Sequence, residues 1–192
     1  RDAGSKILQV MDRQILGVSS KSDGSPVTEA DRQANQVIHD FLKLRFPEIP
    51  PVSEESTHLP GQLNCWLIDP LDATKEFLNG RAEFTVNLAM VAEGVPVAGV
   101  VYAPALDLLV ASKEPGHLFV EGEPLKFDDA SQASLRIAIS RSHLDPMTAA
   151  FCKQMGSVQT IPMGSSLKLL TLALGVCDLY PRFGPTMEWD TA

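Results

Sequence analysis

The stretch from Trp66 to Phe77, WLIDPLDATKEF, constrains the fold more than any other part of the chain. Its apolar start predicts a buried strand over 64–68, and two carboxylates, Asp69 and Asp72, follow directly. Pro70 fixes its own φ and has no N–H to donate, so we expect the strand to end at Asp69 and the chain to turn there. Both acidic side chains can then converge across one tight turn.

Composition limits the class of protein. The 192 residues are 44% hydrophobic and 21% charged, which is typical of a globular protein with a sizeable core. The net charge of −8 argues against binding to nucleic acid polymers or anionic membranes, although a small anion held through metal ions remains compatible with it. Three cysteines without CxxC spacing indicate neither disulfides nor a zinc cluster, and therefore a reducing cytoplasm. No apolar run reaches the roughly 20 residues of a transmembrane helix.

The remaining patterns interleave helices and strands without a regular βαβ order, which predicts a mixed α/β fold. Helices are predicted over 3–16, from a capping box at Thr28 and Asp31 to Pro47, and at about 146–155 and 166–175. The apolar faces of the first two helices are predicted to be Ile7, Leu8, Met11 and Ile15, and Ala34, Val37, Ile38, Phe41 and Leu42. Further strands are predicted over 52–55, 84–93, 95–102, 108–112, 117–120, 135–140, 158–161 and 178–183.

The paired acids support two interpretations. Carboxylates held close together in a partly dry site repel each other unless a cation lies between them, and hard oxygen ligands favour Mg²⁺. Thr74 adds a hydroxyl, and a helix starting near Ala73 would present free N–H groups to a phosphate. Taken singly, however, DPLD is equally typical of a simple turn, Glu54 and Glu55 of a solvated pair, and Asp190 of a helix N-cap.

Taken in order, several segments resemble one family. VTEAD (27–31), SEE (53–55), DPLDATKEF (69–77) and WDTA (189–192) resemble the inositol monophosphatase superfamily of Mg²⁺-dependent, often lithium-sensitive phosphatases. The segments most similar to its 3′(2′),5′-bisphosphate nucleotidase branch are KEF (75–77), FTVNLAMV (84–91), GVVYAP (99–104), SRSH (140–143), GSSLK (164–168) and LYPRFGP (179–185).

The resemblance implies a role for each matching residue. Two or three Mg²⁺ ions would be bound by Glu54, Asp69, the carbonyl of Leu71, Asp72 and Asp190, with Glu55 beside them. Asp31 and Thr74 would polarise the attacking water. The substrate would be contacted by Ala73, Thr74, His143, Ser165, Ser166, Lys168, Arg182 and Asp190.

The resemblance also implies a fold and a reaction. The fold would be a layered α-β-α-β-α sandwich, with residues 1–130 carrying most metal ligands and residues 131–192 carrying the nucleotide contacts. The enzyme would remove the 3′-phosphate of adenosine 3′,5′-bisphosphate, and the same site could take 3′-phosphoadenosine 5′-phosphosulfate, beside sulfate assimilation. A homodimer in the cytoplasm, or at the inner face of its membrane, would fit the superfamily. The alternatives are an inositol or broad sugar-phosphate phosphatase, and a homologue that binds metal or nucleotide without catalysis.

Two features depart from the family pattern. Ala73 replaces the glycine of DPLDGT, and a positive φ at this position would strain the site by roughly 1 kcal/mol or more. The family also continues beyond WDTA, and the chain begins inside a predicted helix at Arg1. We therefore expect the natural N-terminus, with any targeting signal, to lie upstream, and the last layer to be incomplete.

Overall fold

The computed structural model describes residues 1–13, 16–21, 24–56, 62–114, 116–122 and 134–192. The helices are α1 (Asp2–Arg13), α2 (Glu29–Arg45), α3 (Thr74–Leu78), α4 (Pro146–Gln154), α5 (Leu167–Ala173) and α6 (Glu188–Thr191). The strands are β1 (Ser19–Ser20), β2 (Pro26–Val27), β3 (Pro51–Ser53), β4 (Cys65–Asp72), β5 (Thr85–Ala92), β6 (Val95–Ala103), β7 (Leu108–Glu114), β8 (His117–Glu121), β9 (Leu135–Ser140) and β10 (Val158–Met163).

Helices α1 and α2 pack together on one face of the main sheet. The predicted capping box is confirmed, because Thr28 is the N-cap of α2 and accepts from the Asp31 N–H while Asp31 accepts from the Thr28 N–H. Ile7 of α1 is buried in this core, and the described part of α1 runs to Arg13, while Leu16, the predicted last residue, is not helical. Ile15 lies outside the described residues.

The apolar face predicted for α2 is correct except at one position. Ala34, Ile38 and Leu42 are buried, whereas Phe41 is exposed and meets the ring of Phe46 edge-on. Phe41 therefore lies beyond the edge of the buried stripe, which a 3.6-residue period alone does not delimit sharply.

Six described strands form one mixed sheet in the order β3-β4-β5-β6-β7-β8, in which β3 and β4 are parallel and the other pairs antiparallel. The predicted hairpin between β5 and β6 is confirmed. It turns on Glu93 and Gly94, whose φ values of +53° and +77° are those of a two-residue turn that follows the natural twist of the strands.

Side-chain alternation divides the core between the two faces of this sheet. Ile68 of β4 packs with α1 and α2, whereas its neighbour Leu67 lies on the opposite face with Trp189 of α6. On that opposite face Val110 of β7 also packs with Leu167 of α5 and Ile161 of β10. The parallel pair β9–β10 forms a separate two-stranded sheet. The predicted mixed α/β fold is confirmed.

Two strand predictions are wrong. Strand β4 does not end at Asp69 but continues to Asp72. Pro70 has no N–H to donate, and the pairing with β5 is irregular between Asp69 and Asp72, which lets the strand pass the proline. The strand predicted over 178–183 does not form. Only Leu179 makes a bridge to Ile137, because Pro181 removes the next backbone donor.

The remaining sequence-based exclusions can be compared with the structure. Cys65, Cys152 and Cys177 are buried free thiols. Among the described helices, none combines the length and the apolarity needed to cross a bilayer.

Candidate active site

Three acidic residues that are distant in sequence meet beside a cleft of about 460 Å³. Within the described part of the chain, carboxylate oxygens of Asp69, Asp72 and Asp190 all lie within 4.8 Å of one another. Asp69 is buried and the other two are partly exposed, so the cluster runs from the protein interior to the cleft. The sequence-based expectation that the DPLD acids converge is met, and Asp190 joins them from the far end of the chain.

The local backbone explains how each acid is held. The irregularity at Pro70 lets the Leu71 N–H donate to Asp69 Oδ1 at 3.0 Å, while Asp72 rejoins the sheet opposite Thr85. The N-cap interpretation of Asp190 is wrong, because Met187 is the N-cap of α6. Asp190 is the third residue of α6, and its Oδ2 accepts from the Met187 N–H at 3.1 Å.

The acids repel one another in this arrangement. Burial raises the pKa of Asp69 well above its usual value, and the charges of Asp72, Glu54 and Asp190 raise it further. Burial also raises the pKa of Asp72, although a hydrogen bond from Ser165 opposes the change. A cluster of hard oxygens with uncompensated negative charge fits a divalent cation such as Mg²⁺.

A lysine from a loop contacts the acids next to this cluster. Lys21 Nζ lies 2.6 Å from a carboxylate oxygen of Glu54 and 2.6 Å from one of Glu55. Both acids are largely buried, so the alternative of a solvated pair is wrong for them. Burial raises the pKa of Glu54, and the hydrogen bond from Lys21 opposes the shift. The sequence pattern around Lys21 did not predict that this residue would belong to the site.

Asp31 uses its two carboxylate oxygens for different purposes. Oδ2 accepts from the N–H and the hydroxyl of Thr28, which completes the capping box. Oδ1 accepts from the hydroxyl of Thr74 at 3.3 Å, and this hydroxyl is also 3.2 Å from the carbonyl oxygen of Leu71. Burial raises the pKa of Asp31. The capping and the catalytic interpretations are therefore compatible, and the structure brings Asp31, Thr74 and Leu71 together.

Ala73 has a left-handed backbone. It precedes α3 with φ +70° and ψ +49°, a region that costs a residue with a Cβ about 1–2 kcal/mol. Ala73 replaces the glycine of the family pattern and has a positive φ, so the backbone at this position is strained. Ala73 and Thr74 both line the cleft.

The residues expected to contact the substrate divide into two groups. Ser165 and Ser166 lie against the acids: the Ser165 hydroxyl donates to Asp72 Oδ2 at 2.8 Å, and the Ser166 N–H donates to the same oxygen. Lys168 is buried, unlike an ordinary helix lysine, and its Nζ donates to the carbonyl of Ser165 and lies 5.6 Å from the ring centre of Tyr180. Burial lowers the pKa of Lys168, and Asp72 opposes the change.

The second group lies at the exposed rim of the cleft. Lys75 Nζ is 3.0 Å from His143 Nε2, and the pKa of His143 is lowered first by burial and then by the charge of Lys75. Arg182 is exposed, and it donates to the carbonyl of Pro185 at 2.7 Å rather than ending a strand. Lys75 had been noted only as a mark of resemblance, and its position beside His143 depends on a contact 68 residues apart.

Replacing Asp69 with Asn removes one buried negative charge and keeps its acceptor oxygen. We expect the metal-free Asp69→Asn protein to melt several degrees above wild type at neutral pH. This advantage should shrink as the pH falls towards 3.8, because a carboxyl whose folded pKa is raised destabilises the fold only where it ionises. Added Mg²⁺ should raise the melting temperature of wild type but not of Asp69→Asn.

Asp12→Asn, at an exposed position of α1, is the control and should change neither response. An Asp69→Asn protein that melts below wild type and still responds to Mg²⁺ would contradict the assignment of a shared cation site.

Replacing Ala73 with Gly should relieve the left-handed strain and raise the free energy of unfolding by about 1 kcal/mol. Urea denaturation measures this change. The same substitution at Ala150, exposed within α4, should lower stability by about 1 kcal/mol, because glycine is a poor helix former. Loss of stability in both variants would show that residue 73 is not strained.

Comparisons with known proteins agree on one family. The model of the Inositol monophosphatase family matches residues 1–192. The chain is 43% identical over 201 residues to the 3′(2′),5′-bisphosphate nucleotidase CysQ of Escherichia coli K12, a match that covers 100% of this chain and 80% of that protein.

Solved structures give the same result. CysQ from Bacteroides thetaiotaomicron, a bacterial member of the inositol monophosphatase family, superposes with a TM-score of 0.81 at 35% identity, over 98% of this chain and 78% of that one. The extragenic suppressor protein suhB of Bartonella henselae gives 0.81 at 28% identity, over 100% and 77% of the two chains. The chain therefore belongs to the inositol monophosphatase family.

Proposed function

We propose that this protein is a Mg²⁺-dependent phosphatase that hydrolyses the 3′-phosphate of adenosine 3′,5′-bisphosphate to give AMP and phosphate. The observation that carries the proposal is the convergence of Asp69, Asp72 and Asp190 beside the hydrogen-bonded pair of Asp31 and Thr74. Glu54 and the carbonyl of Leu71 are the further ligands that would complete sites for two or three ions. When bound, Mg²⁺ would supply positive charge to the phosphate and lower the pKa of a coordinated water.

The carboxylates, Thr74 and Asp31 have different roles in the proposed hydrolysis. Asp69, Asp72 and Asp190 would hold the cations, whose positive charge would bind the phosphate of the substrate. The Thr74 hydroxyl, which donates to Asp31 Oδ1, keeps its lone pairs free to accept a hydrogen bond from the attacking water. Asp31 receives the proton through Thr74. The water oxygen bonds to phosphorus and keeps its other proton, the P–O ester bond breaks, and the leaving 3′ oxygen takes a proton from solvent, to which Asp31 returns the proton that it received.

Basic residues in the cleft support a nucleotide with a second phosphate. Lys75, Lys168 and Arg182 line the same cleft as the acids, with His143 as a further hydrogen-bonding group, so an anionic group distant from the reacting phosphate would find positive charge there. A substrate with a single phosphate, such as inositol 1-phosphate, would leave this charge unused. The CysQ relatives named as bisphosphate nucleotidases support this choice. We propose 3′-phosphoadenosine 5′-phosphosulfate, which also has a 3′-phosphate and a second anionic group, as a further substrate.

Initial rates test the proposal directly. With Mg²⁺ present, we expect kcat/KM for adenosine 3′,5′-bisphosphate to exceed that for inositol 1-phosphate and for adenosine 3′-monophosphate by about tenfold or more, the effect of one good charge-assisted contact. Chelation of the metal should abolish all three rates. Arg182→Gln should raise KM for the bisphosphate and leave the monophosphate rate unchanged.

Two results would overturn the proposal. A preference for inositol 1-phosphate would make the chain an inositol or sugar-phosphate phosphatase. If wild type and Ala73→Gly both bind Mg²⁺ and hydrolyse nothing, the chain is a non-catalytic homologue. The strained φ of Ala73 makes this second comparison informative.

A further inference from the structure

A buried threonine outside the set of predicted site residues lies at the centre of a hydroxyl network behind the acids. Thr85 begins β5 and pairs across the sheet with Asp72. Its hydroxyl oxygen is 2.6 Å from Ser165 Oγ and 2.7 Å from Ser166 Oγ, and it lies 2.9 Å from Asn87 Oδ1. The side chain is fully buried, so no water competes for these contacts.

The network ends on one oxygen of Asp72. Oδ2 accepts from the Ser165 hydroxyl and from the Ser166 N–H, and the same carboxylate is one of the three in the acidic cluster. Ser166 Oγ can donate to Thr85, Thr85 can donate to Ser165, and Ser165 donates to Asp72, so each hydroxyl in the chain donates its one hydrogen. Hydroxyls aligned towards a carboxylate strengthen one another.

The turn that carries these donors is strained. Ser165 has φ +59°, a left-handed conformation that a residue with a Cβ adopts only when its surroundings hold it there. Thr85 holds the turn from the buried side through both serine hydroxyls.

Glu83 holds the same turn from the outer side. Its Oε2 accepts from the Gly164 N–H at 2.8 Å, while the carboxylate accepts two bonds from Arg141 at 2.8 and 2.7 Å. A Cβ at Gly164 would lie 2.9 Å from Glu76 Cγ and 3.0 Å from the Glu83 carbonyl oxygen. The turn therefore packs closely against Glu76 and Glu83.

We propose that Thr85 is a positioning residue of the metal site. Its hydroxyl fixes the strained Ser165–Ser166 turn, and that turn fixes the orientation of Asp72 towards the cation shared with Asp69 and Asp190. The effect on turnover rests on the proposed function, whereas the effect on metal binding does not. Contacts of this kind behind a metal ligand typically change metal affinity 10- to 100-fold.

The test compares Thr85→Val, which keeps the shape and removes the hydroxyl, with Thr85→Ser, which keeps the hydroxyl. Calorimetric titration with Mg²⁺ alone should show affinity about tenfold weaker or worse for Thr85→Val and close to wild type for Thr85→Ser. The Mg²⁺ concentration for half-maximal rate should rise in the same proportion, while the rate at saturating Mg²⁺ falls less.

Thr148→Val is the matched control, because Thr148 is also buried and, among the described residues, its hydroxyl bonds to Asp145 and the Phe183 N–H and to none of the clustered acids. It should lose stability without losing Mg²⁺ affinity. If Thr85→Val does not fold, Glu83→Gln weakens the same turn from the outer side and should also lower the affinity for Mg²⁺.

A folded Thr85→Val that binds Mg²⁺ as tightly as Thr85→Ser and wild type would overturn the proposal. Wild-type affinity in Glu83→Gln would do the same if Thr85→Val is unfolded. Because the titration needs no substrate, weak Mg²⁺ binding by Thr85→Val together with a wild type inactive on the nucleotide would reject the proposed function and retain this inference.

Discussion

The repulsion between buried carboxylates at the end of β4 is the constraint on which the rest of the site depends. Asp69 is held inside the protein with Asp72, Glu54 and Asp190 around it, and burial together with these charges opposes its ionisation. Such a cluster lowers stability unless protons or cations neutralise it. Its presence at the base of a cleft is therefore better explained by binding than by folding.

The surrounding structure divides each acid between a structural and a chemical task. Asp31 completes the helix cap with one oxygen and meets Thr74 with the other. Asp72 accepts two hydrogen bonds from the Ser165–Ser166 turn, and its carboxylate is also one of the three in the acidic cluster. A short segment of chain can therefore specify local structure and chemistry together. Backbone strain is also concentrated here, because Ala73 and Ser165, both neighbours of Asp72, have positive φ.

Sequence patterns predicted the structure correctly where it depends on residues that are close together in the chain. The capping box of Thr28 and Asp31 and the hairpin at Gly94 follow from short-range chemistry, and the mixed α/β class follows from the order of periodic segments. The strand predicted over 178–183 was wrong because the prediction relied on apolar residues and neglected Pro181, which lacks the N–H needed to extend the pairing. The layered fold expected from the resemblance agrees with the solved relatives, while the division into residues 1–130 and 131–192 stays a prediction.

Long-range contacts could not be predicted in the same way. Lys21 reaches Glu54 across 33 residues, and Thr85 reaches Ser165 across 80. Nor does an amphipathic pattern reveal that Lys168 is buried. The assignment of individual residues to metal and substrate stays a prediction as well, although the geometry brings the acids together.

Anomalous diffraction from crystals soaked with Mn²⁺ in place of Mg²⁺ tests the central claim most directly. We expect a strong anomalous peak bonded to carboxylate oxygens of Asp69, Asp72 and Asp190, which approach one another without large movement of β4 or α6. A map without a peak at this position, with the three carboxylates turned apart, would contradict the account.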